Sequence, residues 1–167
     1  MWSFLPGPVR GSLSMIILVL YTLLWSLLLL GVALFKVLIP VTGWRLACTR
    51  VLNGIAQLWV ASNRLGLALT KDIRWDVEGI EGLRRDAWYL LISNHQSMVD
   101  IVVLQNVLHR RVPPLKFFLK RELLWVPVLG AVWWALDFPF MKRTSSPRKD
   151  LEAARLACAK FKAIPVT

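Results

Sequence analysis

The hydrophobic pattern divides the chain at about residue 70. From Leu13 to Phe35, LSMIILVLYTLLWSLLLLGVALF, no residue is charged, over about the length a helix needs to cross roughly 30 Å of hydrocarbon. The run exceeds the apolar core of a cleaved leader and no small-residue cleavage site follows it, which predicts a transmembrane helix over 13–35. Residues 46–69, LACTRVLNGIAQLWVASNRLGLAL, are also apolar but are interrupted by Arg50, Asn53, Gln57, Asn63 and Arg64. Charges in mid-span are costly. The pattern therefore predicts an amphipathic helix lying at the membrane interface, with a short re-entrant hairpin as the alternative.

Beyond residue 70 the periodicity shortens. Ile73, Trp75 and Val77 alternate with polar residues, and Gly79 and Gly82 close the segment, as in a strand followed by a turn. Trp88 to Ile92, WYLLI, is an unbroken apolar run that suits a strand buried on both faces. A helix is predicted from Met98 to Leu108, short strands over 117–119 and 138–141, and between them a broken apolar segment, 123–136, that packs on the core or lines a lipid groove. Ser146 followed by Pro147 signals the start of a further helix, with Leu151, Ala154, Cys158 and Phe161 on one face. The fold class expected is α/β: a mixed sheet flanked by helices, behind a membrane anchor occupying residues 1–70.

Composition sharpens the membrane reading. Hydrophobic residues make up 56% of the 167, and there are nine tryptophans, whose indoles favour the headgroup boundary. The net charge of +11 suits an anionic lipid surface or phosphate-bearing substrates. Nucleic acid is the weaker partner, because the basic residues are scattered through apolar surroundings without a nucleic-acid module. Arg10 precedes the apolar run while Lys36, Arg45 and Arg50 follow it, an asymmetry that puts the bulk of the chain in the cytoplasm. Cys48 and Cys158 have no spacing that indicates a disulfide framework or a metal site, and no cofactor is expected.

Chemistry concentrates in LISNHQSMVDIVVL, residues 91–104. On one continuous helix His95 and Asp100 would lie about 140° apart, so they meet only if the chain turns between them. A helix beginning at Met98 after a turn would let Asp100 orient His95 and steady its imidazolium, as a general base requires. The same residues also fit a capping box, with Ser97 as N-cap and Asp100 at the third helical position. The two readings are compatible, since a capped helix start would hold the acid in place. No Gly-x-Ser-x-Gly elbow is present, so Ser97 reads as a cap rather than a nucleophile. His109 has no acid nearby in sequence and reads as a surface residue; Lys116, Arg121 and Lys142 read as a solvated basic edge. Trp125, Trp133 and Trp134 read as core or interface packing.

Asn94-His95-x-x-x-x-Asp100, then Lys120-x-x-Leu123-x-x-x-Pro127-x-x-Gly130, then Phe140-Met141-Lys142-Arg143, together resemble the first two sequence blocks of the lysophosphatidic acid acyltransferase family, the glycerolphosphate and phospholipid acyltransferases. The run LLWVPVLGAVWWALDFPFMKR is similar to that of a bacterial inner-membrane subgroup. The resemblance implies that His95 takes the proton of a glycerol hydroxyl, which attacks the thioester of acyl-CoA or acyl-carrier protein without an acyl-enzyme. It implies Asp100 as the orienting acid and Lys120 with Arg143 as holders of a lysophospholipid phosphate. Asn94, Ser97, Pro127 and Gly130 support the two blocks. Residues 71–167 would then be the N-terminal part of the catalytic domain, on the cytoplasmic face of a bacterial inner membrane.

Family members carry a third block, close to Glu-Gly-Thr-Arg, on a later strand. This sequence stops at Thr167, within or just before that strand, and is expected to be the front part of a longer enzyme. A lipid-binding membrane protein without catalysis, derived from the family by truncation, is the alternative.

Overall fold

A computed structural model of the chain describes residues 6–70, 73–142 and 147–162. The first helix, α1 (Gly7–Leu38), carries Pro8 in its first turn, where the missing N–H removes no helical bond. It ends before Pro40, whose ring disfavours helical geometry in Ile39. After that three-residue turn the chain reverses into α2 (Thr42–Thr70), a single 29-residue helix.

The two helices form an antiparallel hairpin, as their contacts run in opposite chain directions. Near the open end, Gly66 sits against Ile17 and Tyr21. Further along, the Trp25 indole N–H donates to Ser62 Oγ at 2.8 Å. At the turn, the Trp44 indole N–H donates to the Phe35 carbonyl at 3.1 Å. Alpha-helix 1 is long and apolar enough to cross a membrane. Much of it faces outward: Ile16, Leu20, Leu23, Leu27 and Leu34 are each between 46% and 69% exposed, an apolar face that water does not favour and lipid does.

Part of the second half of the chain packs on the turn-proximal half of this hairpin. Leu29 of α1, Leu52 of α2, and Val132 and Leu136 from the second half of the chain form a buried cluster, with Ile55, Trp59 and Phe138 packed around it. Val132 belongs to α4 (Leu129–Ala135), and α3 (Met98–Leu108) lies against α2.

Beta structure among the described residues is limited to two strands, β1 (Leu119–Lys120) and β2 (Phe140–Met141), paired in parallel with Leu119 opposite Phe140 and Lys120 opposite Met141. A 3-10 turn (Arg121–Trp125) and α4 make the crossover between them, as parallel neighbours require. The last helix, α5 (Pro147–Lys162), follows β2.

This architecture corrects the expected sheet. The fold is mostly helical, and neither 73–77 nor 88–92 is a strand. Alternation and apolarity define the faces of a strand, but a strand exists only where a ladder partner satisfies its backbone groups. Residues 88–92 have no such partner among the described residues, and Trp88 to Ile92 are 43–85% exposed. The face of α5 that carries Leu151, Ala154 and Cys158 is largely open, with Leu151 at 55% exposure and Cys158 exposed. Ser146, the expected cap, lies outside the described residues.

Candidate active site

The segment before α3 turns as the spacing of His95 and Asp100 requires. Ser97 is the N-cap in an extended conformation, and its Oγ accepts from the Val99 N–H at 3.2 Å. Asp100 completes a capping box from the third helical position. Its Oδ2 accepts from the backbone N–H of Gln96 at 2.6 Å and of Ser97 at 2.7 Å. The same oxygen lies 3.3 Å from His95 Nδ1. One carboxylate thus ends the turn, starts the helix and faces the imidazole.

The electrostatics follow from those contacts. The Ser97 N–H, then the Gln96 N–H, then the neighbouring His95 stabilise the ionised form and hold the Asp100 carboxyl below its usual value. An ionised Asp100 is placed to accept a hydrogen bond from Nδ1–H, an arrangement that would leave the lone pair on Nε2. The His95 side chain is 53% exposed, so that nitrogen is accessible to an incoming hydroxyl. At 3.3 Å the Nδ1 contact is longer than a charge-assisted bond of about 2.8 Å, and contacts of this kind shorten when substrate arrives. Asn94, directly before the histidine, is exposed.

The second motif lies on a different set of elements. Lys120 occupies the exposed end of β1, and no hydrogen bond or ion pair among the described residues joins it to His95 or Asp100. Arg143 lies outside the described residues.

Pro127 and Gly130 shape the entry to α4. The Leu129 N–H donates to the Pro127 carbonyl at 2.7 Å around Val128, whose φ of 65° and ψ of −57° make a strained γ-turn. A Cβ on Gly130 would stand 2.0 Å from the Leu124 carbonyl oxygen, so only glycine allows the 3-10 turn and α4 to approach this closely.

Three assignments made from the residues alone are corrected by packing. Lys116 is not a solvated edge: its ammonium end is enclosed, donating to Asn53 Oδ1 at 3.3 Å and to the Leu136 carbonyl, 5.0 Å from the centre of the Phe138 ring. Burial pushes its pKa down to about 8. His109, the C-cap of α3, is partly buried with no partner for Nδ1 among the described residues, and desolvation, then Arg110, Arg64 and Arg85, lower its pKa. Trp125, read as core or interface packing, is 87% exposed and so does not belong to the core.

Residues missed by the sequence reading include Lys36 and Asp137, whose ion pair at 2.9 Å links α1 to the residue pair following α4. An acid in the apolar run WWALDFPF was the available signal, since buried carboxylates are rarely left unpaired.

Residues 74–161 match the Acyltransferase family. The chain belongs to that family. The match contains His95, Asp100, Lys120, Pro127, Gly130 and Arg143. Among curated proteins, 1-acyl-sn-glycerol-3-phosphate acyltransferase alpha of Homo sapiens is 35% identical over 71 residues, which is 42% of this acyltransferase chain and 24% of the human protein. The proteins of the same name from Mus musculus and Bos taurus match to the same extent. The aligned stretch therefore spans about a quarter of the length of these relatives. No solved structure matches the chain.

Proposed function

We propose that this acyltransferase moves a fatty acyl group from an acyl thioester, acyl-CoA or acyl-carrier protein, to the free hydroxyl of a lysophospholipid. The acceptor we favour is 1-acylglycerol-3-phosphate, giving phosphatidic acid, at the cytoplasmic face of a bacterial inner membrane. The observation that carries the reading is the approach of His95 Nδ1 to Asp100 Oδ2 at 3.3 Å, within the family match, with the acid fixed by two backbone N–H groups. The acceptor assignment is supported by the similarity to 1-acyl-sn-glycerol-3-phosphate acyltransferase alpha.

In this reading Nε2 of His95 accepts the proton of the acceptor hydroxyl as its oxygen attacks the thioester carbonyl. Asp100 steadies the imidazolium so formed. The tetrahedral intermediate collapses with cleavage of the carbon–sulfur bond, and the imidazolium returns its proton to the departing thiolate. An alcohol is a poor nucleophile near neutral pH, and a positioned histidine contributes roughly 10²–10⁴-fold to such a step. Lys120 and Arg143 are assigned to the acceptor phosphate, as cations that can bind its oxygens. Alpha-helix 1 supplies the membrane attachment.

Purified protein in lipid vesicles, given radiolabelled acyl-CoA or acyl-carrier protein and 1-acylglycerol-3-phosphate, tests the proposal. His95→Ala is expected to lower transfer by at least about 10² with thermal stability unchanged, as the side chain is half exposed. Transfer retained by the variant, or transfer lost together with the fold, refutes the assignment of His95 as base.

A further inference from the structure

At the turn of the helical hairpin lies a cavity of about 210 Å³, lined by Ala33, Lys36, Val37, Arg45, Trp134 and Asp137 among others. It shares no residue with the His95–Asp100 pair. Its charges are unequal. Lys36 Nζ is held by Asp137 Oδ2 at 2.9 Å and the Ala135 carbonyl at 3.4 Å, and both side chains of that ion pair are mostly buried. Lys36 and Asp137 neutralise each other within the lining; Lys116, whose ammonium also feels both of them, is not among the lining residues. Arg45 then adds a positive charge, and its guanidinium makes no hydrogen bond or ion pair among the described residues. The cavity is thus a polar recess with one surplus cation that has five N–H donors to offer.

The position of this recess selects the kind of anion. No charged residue occurs between Arg10 and Lys36, so Lys36 marks the level at which α1 leaves the apolar layer if, as proposed above, it lies in a membrane. At the rim, Val37 is 53% and Trp134 56% exposed, with Leu38 beside them at 63%. An indole and aliphatic groups around a cationic recess match the boundary where phosphates meet acyl chains. The volume equals that of about seven waters at roughly 30 Å³ each, sufficient for a phosphate with part of its headgroup. Acyl chains would lie outside, along the exposed apolar face of α1.

We infer that this cavity binds the phosphodiester of an anionic membrane phospholipid, separately from the acceptor substrate. A single surplus charge matches a phosphodiester, which carries one negative charge. A phosphomonoester, with about 1.5 to 2 negative charges at neutral pH, would leave its second charge facing Asp137. The site therefore favours a lipid such as phosphatidylglycerol over phosphatidic acid, and over a zwitterionic lipid whose ammonium would meet Arg45.

Native mass spectrometry of the protein released from micelles containing phosphatidylglycerol, phosphatidic acid and phosphatidylcholine tests the inference. Wild-type protein is expected to retain one phosphatidylglycerol preferentially. Arg45→Gln should weaken that retention by roughly tenfold or more, the usual effect of losing a charge-assisted hydrogen bond. Arg45→Lys should keep part of it, and Arg50→Gln, which removes an exposed cation elsewhere on α2, should keep all of it. Equal retention by wild type and Arg45→Gln, or an equal loss in Arg50→Gln, overturns the site. Titration with inorganic phosphate separates the sources: resistance to millimolar phosphate assigns the cavity to the lipid, whereas displacement by it overturns the lipid assignment.

Discussion

Lys116 offers the sharpest link between burial and measurable stability. Its ammonium is enclosed between α2 and the residues after α4, and burial lowers its pKa from 10.5 to about 8, against the opposing pull of Asp137. The difference between those values, at about 1.4 kcal/mol for each factor of ten in proton affinity, amounts to roughly 3 kcal/mol. The sign follows from which state holds the proton. Between pH 8 and 10.5 the unfolded chain keeps Lys116 protonated while the folded chain releases it, so stability rises with pH across that window. Below about pH 8 the penalty of burying the charge is fully present. Lys116→Met keeps an unbranched side chain over Phe138 and removes the titrating group. The assay is equilibrium denaturation of both proteins in the same detergent from pH 7 to pH 10.5. The wild type is expected to gain up to about 3 kcal/mol more than Lys116→Met over that range. At pH 7 the two should lie within about 1 to 2 kcal/mol, because removing a buried charge offsets the lost hydrogen bonds to Asn53 and Leu136. Parallel pH profiles would refute the claim that this ammonium is desolvated.

Two further substitutions probe the motifs. Ser97→Ala should lower stability by about 1 kcal/mol through loss of the cap and reduce acyl transfer less than tenfold, whereas Asp100→Asn should reduce transfer by roughly 10² or more while circular dichroism reports an intact helix content; equal effects on rate would make Asp100 a helix cap and nothing else. Because the Asp100 carboxyl is held low, its contribution to stability is present above its unfolded value and is lost as pH falls through the lower folded value, a loss that Asp100→Asn should abolish in acid titrations. Gly130→Ala should destabilise the protein by roughly 3 kcal/mol or more in thermal or chemical denaturation, since the new Cβ meets backbone rather than a movable side chain; near-neutral behaviour would mean that α4 can shift away from the 3-10 turn.

What the sequence disclosed was mostly local. The helix over 98–108 was legible because its start signal and its chemistry coincide: the Ser97 cap and the Asp100 carboxylate are set by hydrogen bonds spanning only a few residues. The apolar block before Lys36 was legible for a similar reason, as uninterrupted length alone decides it. Strands at 73–77 and 88–92 were misread because their stability depends on a partner distant in sequence, and an apolar run such as WYLLI has no means of naming one. Lys116 was misread for the converse reason. A lysine in PLKFFL is assigned to solvent by its charge, and only the folded arrangement shows Asn53, 63 residues earlier, and the Leu136 carbonyl waiting for its protons.

These long-range contacts also explain how a short parallel ladder can hold a position relative to the helical hairpin. Two strands of two residues each cannot fix themselves by their own hydrogen bonds. Each strand is instead entered three residues after a side chain that grips the hairpin: Lys116 before Leu119 reaches Asn53 of α2, and Asp137 before Phe140 reaches Lys36 of α1. The buried contact of Leu29 and Leu52 with Val132 and Leu136 joins the same helix pair to the same segment. The register of Lys120 opposite Met141 is therefore tied to a helix pair whose first helix is long and apolar enough to cross a membrane. If Lys120 holds the acceptor phosphate, as proposed, its height above the hydrocarbon is set by the hairpin rather than by diffusion of a tethered domain. Breaking either grip should then weaken acceptor use before it weakens the histidine–acid pair, whose geometry is built entirely from residues 95–100.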